Sequence, residues 1–453
     1  MPWRLPRADH SLLDRLSSLE TFGIKLGLEN ISRLCEALGH PERSFTTLHV
    51  AGTNGKGSVT AMVHAALGAA GLRTARYTSP HLADITERFV IGEAAVDTAT
   101  FNAVAHQVLD LSDRLVADNV LRVLPTFFEA TTAIAFELFR RAGTEVAVIE
   151  VGLGGRFDAT NVITPVAGAI TTIGFDHQQH LGTTLAEIAF EKAGIIKAGM
   201  TVVAGALPPS AIEVVRRVAA ERGATLVETA HDSRVQAETL DGAARVTIQT
   251  PRARYGPLTL ALRGDHQIGN AVVAARLLEA AAGGGVPVTA AHIEAGLVSA
   301  VWPARLEYLP LDNQRRILLD SAHNAEGAVA LAAHLRRWHP EGPPLVVGIM
   351  RDKDVHEILA PLLPLTSRVI ATSASTPRAL PAEELAARVR AAAERLGLAG
   401  RLTVEVDDDP LRAVDRALAS APLVCAAGSI FLVGPLRERL LARTAVPAPP
   451  PVR

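Results

Sequence analysis

Hydrophobic positions along the chain fall into two alternating patterns. Short apolar runs bounded by turn residues, such as Leu48-His49-Val50-Ala51, residues 146–151 and residues 166–172, read as buried strands. Ala/Leu-rich stretches such as residues 59–70 read as the helices between them. That alternation predicts βαβ units and a mostly parallel sheet. A second set begins near residue 316 with Ile317-Leu318-Leu319-Asp320, residues 345–350, 369–372 and 423–426, separated by helices such as residues 382–396. It predicts a smaller, Rossmann-like α/β domain. Between the sets lies Val301-Trp302-Pro303-Ala304-Arg305-Leu306-Glu307, whose proline disfavours helix at the residue before it. The expected boundary is therefore residue 305: one domain over 1–305, a second over 306–440, and a disordered tail over 441–453, where residues 445–453 hold four prolines. The polar, Gly-containing stretch 232–256 reads as hairpins or loops.

A chain of 453 residues exceeds the usual size of one hydrophobic core, which supports two domains. No apolar run reaches the roughly 18 residues of a membrane span. The start, with early acidic residues and no continuous apolar segment, does not resemble an export signal. Only Cys35 and Cys425 occur, far apart, which gives neither a disulfide framework nor a thiolate zinc site and fits a reducing cytoplasm. A net charge of −2 and 4% aromatic residues argue against a polymeric nucleic acid as partner.

The chemistry begins at Gly52-Thr53-Asn54-Gly55-Lys56-Gly57-Ser58, a glycine-rich turn between an apolar strand and a helical run. Glycines let backbone N–H groups curl around phosphate oxygens, and the helix N-terminus adds partial positive charge. In such a loop Lys56 reaches the terminal phosphates and the Ser58 hydroxyl serves phosphate or metal. The spacing departs from the common nucleotide loop, because Gly57 separates Lys56 from Ser58. Glu150 ends the strand 146–150 and His177 follows the strand 169–173, at carboxyl ends where ligands gather in open α/β sheets.

This GTNGKGS loop resembles that of the ligases that add amino acids to carboxylates, the Mur ligase superfamily. Further stretches resemble its dihydrofolate synthase/folylpolyglutamate synthase branch: Tyr77-Thr78-Ser79-Pro80-His81, Val151-Gly152-Leu153-Gly154-Gly155-Arg156-Phe157-Asp158-Ala159-Thr160-Asn161 and Phe190-Glu191-Lys192-Ala193-Gly194-Ile195. So do Gly264-Asp265-His266-Gln267-Ile268-Gly269-Asn270, Trp302-Pro303-Ala304-Arg305-Leu306-Glu307, Asp320-Ser321-Ala322-His323-Asn324 and Gly428-Ser429-Ile430-Phe431-Leu432-Val433-Gly434. The resemblance spans about residues 20–440 and implies an ATP-binding Mur-ligase domain followed by a glutamate-ligase domain.

It also implies a site. Ser79, Glu150 and His177 would hold one magnesium ion and Ser58 a second, although histidine is an unusual ligand for so hard a cation. Lys192, which alone would read as a solvated charge on a helix, matches a lysine that related ligases carbamylate with carbon dioxide. Asn270, Arg305 and Asp320 match contacts to ATP, whereas the residues alone also allow a helix cap, a surface pair and a turn residue. Leu28, Thr126, Phe128 and Asp158 match contacts to a dihydropterin, with Asn30 standing where the family often has arginine. For Asp158 a cap, and for Phe128 a core position, remain the alternatives. His323 matches a contact to glutamate.

The implied reaction joins L-glutamate to dihydropteroate and to reduced folates through an acyl phosphate, with Lys56, Glu150, His177 and Lys192 as the catalytic set, in folate biosynthesis and one-carbon metabolism. A cytoplasmic monomer acting on small molecules is expected, with hinge motion around residues 300–308. Open alternatives are one of the two activities alone, a Mur-type peptidoglycan ligase, a P-loop switch or transport ATPase, and a catalytically dead binding protein.

Overall fold

The computed structural model describes residues 10–19, 27–240, 242–312 and 314–444. It divides into two compact units. The first holds residues up to 237 with Val246–Ala261 and Ile268–Val301, and the second holds Glu238–Arg245, Leu262–Gln267 and residues from Trp302 onward.

The first unit is built on eight strands: β1 (Thr46–Ala51), β2 (Thr74–Tyr77), β3 (Phe89–Ile91), β4 (Ala94–Ala95), β5 (Val146–Glu150), β6 (Ala167–Ile170), β7 (Thr201–Ala204) and β8 (Thr225–Glu228). Their order is β4-β3-β2-β5-β1-β6-β7-β8. Only β3 and β4 run antiparallel to their neighbours. Every residue of β5 is buried, as expected for a parallel strand covered on both faces. One core, around Phe89, Phe101, Phe136 and Phe139, lies on one flank. Another, around Ile188, Ile195 and Val202, lies on the other.

Strand order fixes where chemistry can occur. The chain leaves β1 for β2, and β5 then inserts between the two while β6 docks on the far side of β1. In register, Val50 faces Glu150, Tyr77 faces Ile149 and Ala51 faces Ile170. The segments after β2, β5, β1 and β6 therefore emerge side by side along one edge, the usual ligand-binding edge of an open parallel sheet.

The helix Lys56–Ala69 follows β1 and is buried along most of its length, consistent with its small, apolar composition on every face. It packs closely on the helix Ala290–Ser299, where a Cβ on Gly296 would meet the backbone of Ala66. The stretch 232–256 supplies β9 (Arg234–Leu240), β10 (Ala243–Gln249) and part of β11 (Arg254–Thr259), in a separate sheet ordered β11-β10-β9.

That sheet is tied to the helix His266–Gly283 by a buried polar network. Glu279 accepts hydrogen bonds from Tyr255 Oη at 2.7 Å and Thr250 Oγ1 at 2.5 Å and pairs with Arg276, whose other arm reaches Asp232 at 2.6 Å.

The second unit carries β12 (Glu307–Pro310), β13 (Arg316–Leu319), β14 (Leu345–Val347), β15 (Arg368–Ala371), β16 (Thr403–Val406) and β17 (Leu423–Ala427), in the order β12-β13-β17-β14-β15-β16. Only β12 is antiparallel to its neighbour. The helix Ile430–Thr444 extends regular structure into the first four positions of the expected disordered tail, and residues 445–453 lie outside the described residues. Among the described residues no helix is long and apolar enough to cross a membrane.

Removing one partner of a buried ion pair strands the other charge. Glu279→Ala is therefore expected to lower the unfolding free energy by about 3 kcal/mol, read as a lower urea midpoint. Glu279→Gln, which keeps an acceptor for Tyr255 and Thr250, is expected to lose less.

Candidate functional site

The loop after β1 is shaped by what it touches. Gly52 has φ +148°, and a Cβ there would overlap the Thr171 hydroxyl. Only glycine allows this approach without strain. Thr171 and Thr172, which follow β6, strap the loop down: Thr171 Oγ1 donates to Asn54 O at 2.6 Å, and Thr172 Oγ1 accepts from Asn54 N at 3.0 Å. Thr53 N donates to Thr172 O at 2.8 Å, and Thr53 Oγ1 accepts from Gly174 N at 3.0 Å. The loop is thus preformed, with the first turn of the helix Lys56–Ala69, including buried Ser58, opening from it. Asn270, on the helix His266–Gly283, is buried against this loop, where a Cβ on Gly55 would overlap its amide.

Two ammonium groups converge on one carbonyl. Gly52 O accepts from Lys56 Nζ at 3.1 Å and from Lys192 Nζ at 2.9 Å. Lys56 also donates to Thr53 O at 3.1 Å. Lys192 sits near the end of the helix Leu185–Ala193, which starts with a capping box between Thr184 and Glu187. Burial and then the Lys56 charge drive the Lys192 pKa down to about 7, against a smaller opposing pull from Asp176 and Asp158. The loop 152–156 lies directly on this helix end: a Cβ on Gly155 would crowd the carbonyls of Glu191 and Lys192.

The expected metal ligands emerge along the same sheet edge. Glu150 is buried at the end of β5, within electrostatic reach of the Arg76 guanidinium on β2. Ser79 lies two residues past β2. His177 adopts φ +51°, an uncommon conformation for a non-glycine residue that concentrates at functional positions. Its backbone N–H is held by Asp176 Oδ1 at 2.9 Å. Among the described residues no three His, Cys, Asp or Glu side chains form a metal-holding group. The oxygen donors Ser58, Ser79 and Glu150 nevertheless suit magnesium, which takes one or two carboxylates and fills its shell with water and phosphate oxygen.

The expected pterin residues have local duties as well. Thr126 caps the helix Phe127–Arg141, its Oγ1 accepting from Glu129 N while Glu129 accepts from Thr126 N. Leu28 precedes the helix Glu29–Ala37 and packs with Phe127 and Phe128 on the core around Tyr77. Phe128 lies with its ring centroid 5.9 Å from that of Tyr77. Asp158 accepts from Leu153 N at 2.8 Å and Thr160 N at 3.0 Å and caps the short turn Ala159–Val162, while burial pushes its pKa up.

In the second unit Asp320 is buried after β13, accepting from Leu306 N at 2.9 Å and Ala322 N at 2.8 Å, with Arg305 as its nearby cation. His323 follows it, with Nδ1 2.9 Å from Ser321 O. His266 lies in the same electrostatic group, and burial lowers its pKa. Sequence reasoning passed over Thr171, Thr172, Arg76 and His266. The places of Thr171, Thr172 and Arg76 depend on which strands pair and that of His266 on the fold around Asp320, and the Thr171-Thr172 doublet at a strand end was the available signal.

Comparison with known proteins bears on this arrangement. Residues 50–278 match the family model described as Mur ligase middle domain, and residues 304–433 match Mur ligase, glutamate ligase domain. A dihydrofolate synthase/folylpolyglutamate synthase of Bacillus subtilis is 33% identical over 431 residues, covering 92% of this chain and 96% of the relative. The solved structure of Mycobacterium tuberculosis folylpolyglutamate synthase complexed with ADP and AMPPCP superposes with a TM-score of 0.87 at 34% identity, covering 96% of this chain and 99% of that one. The structure of E. coli FolC in complex with DHPP and ADP gives 0.83 at 29% identity, covering 97% and 100%.

The depressed Lys192 pKa has a consequence for stability. The unfolded amine titrates near its ordinary value of 10.5 and the folded one near 7, so between these values the unfolded chain holds more protons and stability from this group rises with pH. Below about pH 7 the full cost of burying the charge is present. In carbon-dioxide-free buffer Lys192→Met is expected to raise the urea midpoint over the parent at pH 6, with the advantage shrinking toward pH 10.

Proposed function

The chain belongs to the dihydrofolate synthase/folylpolyglutamate synthase family of Mur ligases, and from that membership we propose that it uses ATP to join L-glutamate to dihydropteroate and to the γ-carboxylate of reduced folates. ATP-dependent glutamate ligation in folate metabolism is its activity. The observation that carries the reading is the preformed phosphate loop with Lys56 and Lys192 meeting on the Gly52 carbonyl.

A carboxylate resists amide formation because oxide is a hopeless leaving group. The substrate carboxylate therefore attacks the γ-phosphorus of ATP, giving an acyl phosphate and ADP. The amine of glutamate attacks the acyl carbon, loses a proton, and the tetrahedral intermediate expels phosphate to leave the amide. Such transfer is governed by positioning and charge neutralisation. Loop N–H groups and Lys56, released from the carbonyls of Gly52 and Thr53, take the phosphate oxygens. Asn270, Arg305 and Asp320 serve the nucleotide, and His323 serves the incoming glutamate. Leu28, Thr126, Phe128 and Asp158 receive the pterin, Phe128 by stacking and Asp158 as an acceptor for ring N–H groups.

Two magnesium ions, held by Ser58 and by Ser79 and Glu150 with His177, would neutralise phosphate charge as Lewis acids. Lys192 is carbamylated in this reading: the neutral amine adds to carbon dioxide, forming an N–C bond and releasing one proton. The low pKa supports it, since an ammonium could not react. The product carboxylate turns repulsion toward Lys56 into attraction. The two buried cysteines, the net charge of −2 and the small-molecule chemistry support a cytoplasmic protein without nucleic-acid or membrane partners, which we read as a monomer.

Purified protein incubated with ATP, magnesium and L-glutamate, and separately with dihydropteroate or a reduced folate monoglutamate, is expected to add one glutamyl unit to each by mass and to release ADP in step. No mass gain on either substrate, in folded protein that binds ATP, overturns the reading in favour of a Mur-type acceptor.

A further inference from the structure

On β1, three residues before Gly52, the His49 side chain is wholly buried and its Nε2 lies 2.9 Å from Thr160 Oγ1. Thr160 Oγ1 in turn donates to Asp158 Oδ1 in a short contact, and Thr160 N donates to the same oxygen at 3.0 Å. Leu153 N holds the other oxygen at 2.8 Å. With Asp158 ionised, proton bookkeeping fixes the direction of the chain. A hydroxyl has one proton, and Thr160 gives it to Asp158, so Thr160 Oγ1 accepts from His49. The His49 proton therefore sits on Nε2. Burial, reinforced by the Lys197 charge, holds the imidazole neutral with its pKa down at about 3, which a single donated bond requires.

We infer that His49 and Thr160 are positioning residues for the pterin end of the acceptor, setting the Asp158 carboxylate in a fixed orientation relative to the phosphate loop. The inference rests on the proposed contact between Asp158 and the dihydropterin.

The physical reason is registry. The acceptor must place its ring and its carboxylate at two points a fixed distance apart, and the second point is set by the loop after β1. His49 belongs to the same strand as that loop. A donor chain running from β1 through Thr160 refers the ring contact to the strand that carries the phosphate site. Thr160 pins one carboxylate oxygen and Leu153 the other, so the group cannot rotate. Neither His49 nor Thr160 needs to touch the substrate. Ordering groups in advance in this way lowers the cost of binding.

The test is steady-state kinetics on the full-length protein with dihydropteroate varied at saturating ATP and glutamate, and then with ATP varied. Thr160→Val, close in shape but without the hydroxyl, is expected to raise KM for dihydropteroate about tenfold, the worth of one hydrogen bond to a charged group, with KM for ATP little changed and a lower melting temperature from the stranded His49 N–H. Thr160→Ser restores the parent value. His49→Leu behaves as Thr160→Val, and His49→Gln, which keeps an N–H donor, behaves as the parent. These two stand in if Thr160→Val does not fold. If Asp158→Asn raises KM for dihydropteroate while Thr160→Val and His49→Leu leave it alone, the positioning chain is overturned and the pterin contact stands. If Asp158→Asn also leaves it alone in protein that turns over dihydropteroate, the chain has nothing to position and the inference falls. No turnover of dihydropteroate by the parent removes the dihydropteroate half of the proposed function, a failure distinct from that of the positioning chain.

Discussion

The shared carbonyl of Gly52 is the constraint on which the rest of the site depends. Two lysine ammonium groups lie within 3.1 Å of it, and one of them is buried. Burial first, and then the nearby Lys56 charge, disfavour the Lys192 ammonium and depress its pKa. That cost falls when a proton leaves or an anion arrives. The proposed triphosphate beside Lys56 and the proposed carbamate on Lys192 would each supply that anion, so the electrostatic stress that costs stability would favour the chemistry.

Everything that holds this carbonyl in place follows from strand order. Because β1 lies between β5 and β6, the loop it feeds is flanked by Glu150 on one side and by Thr171 and Thr172 on the other. The threonine hydroxyls take over backbone groups of the loop that would otherwise need solvent. The helix Leu185–Ala193 is pressed against the loop 152–156 through glycine, which brings Lys192 and Asp158 to the same edge. His177, in its left-handed conformation, marks a backbone held against its own preference at that edge.

Much of this was legible in the sequence, and the remainder was hidden for identifiable reasons. The strand–loop–helix around Gly52-Thr53-Asn54-Gly55-Lys56 is local, so apolar patterning and glycine spacing exposed it, and the family followed from motifs that the comparisons bear out. The partnership of Lys192 with Gly52 joins residues 140 positions apart, and that of His49 with Thr160 joins residues 111 apart. No local pattern encodes either. Thr126 and Asp158 were read through the resemblance as ligand contacts, with a cap as the alternative for Asp158, and the structure shows each capping the element that follows it. A capping residue looks the same in sequence whether or not it also meets a ligand. The helix Ile430–Thr444 runs past the expected tail boundary at 441, because the helix-breaking prolines of the tail begin only at 447.

The most direct measurement is carbon-13 NMR of the protein equilibrated with labelled bicarbonate at a pH just above 7, with and without magnesium and ADP. The account predicts a carbamate carbonyl resonance in the parent that is absent from Lys192→Arg and grows when magnesium and nucleotide are present. A parent spectrum with no such resonance, in protein that ligates glutamate at full rate under the same conditions, would contradict the claim that the two-lysine site is relieved by converting Lys192 to an anion.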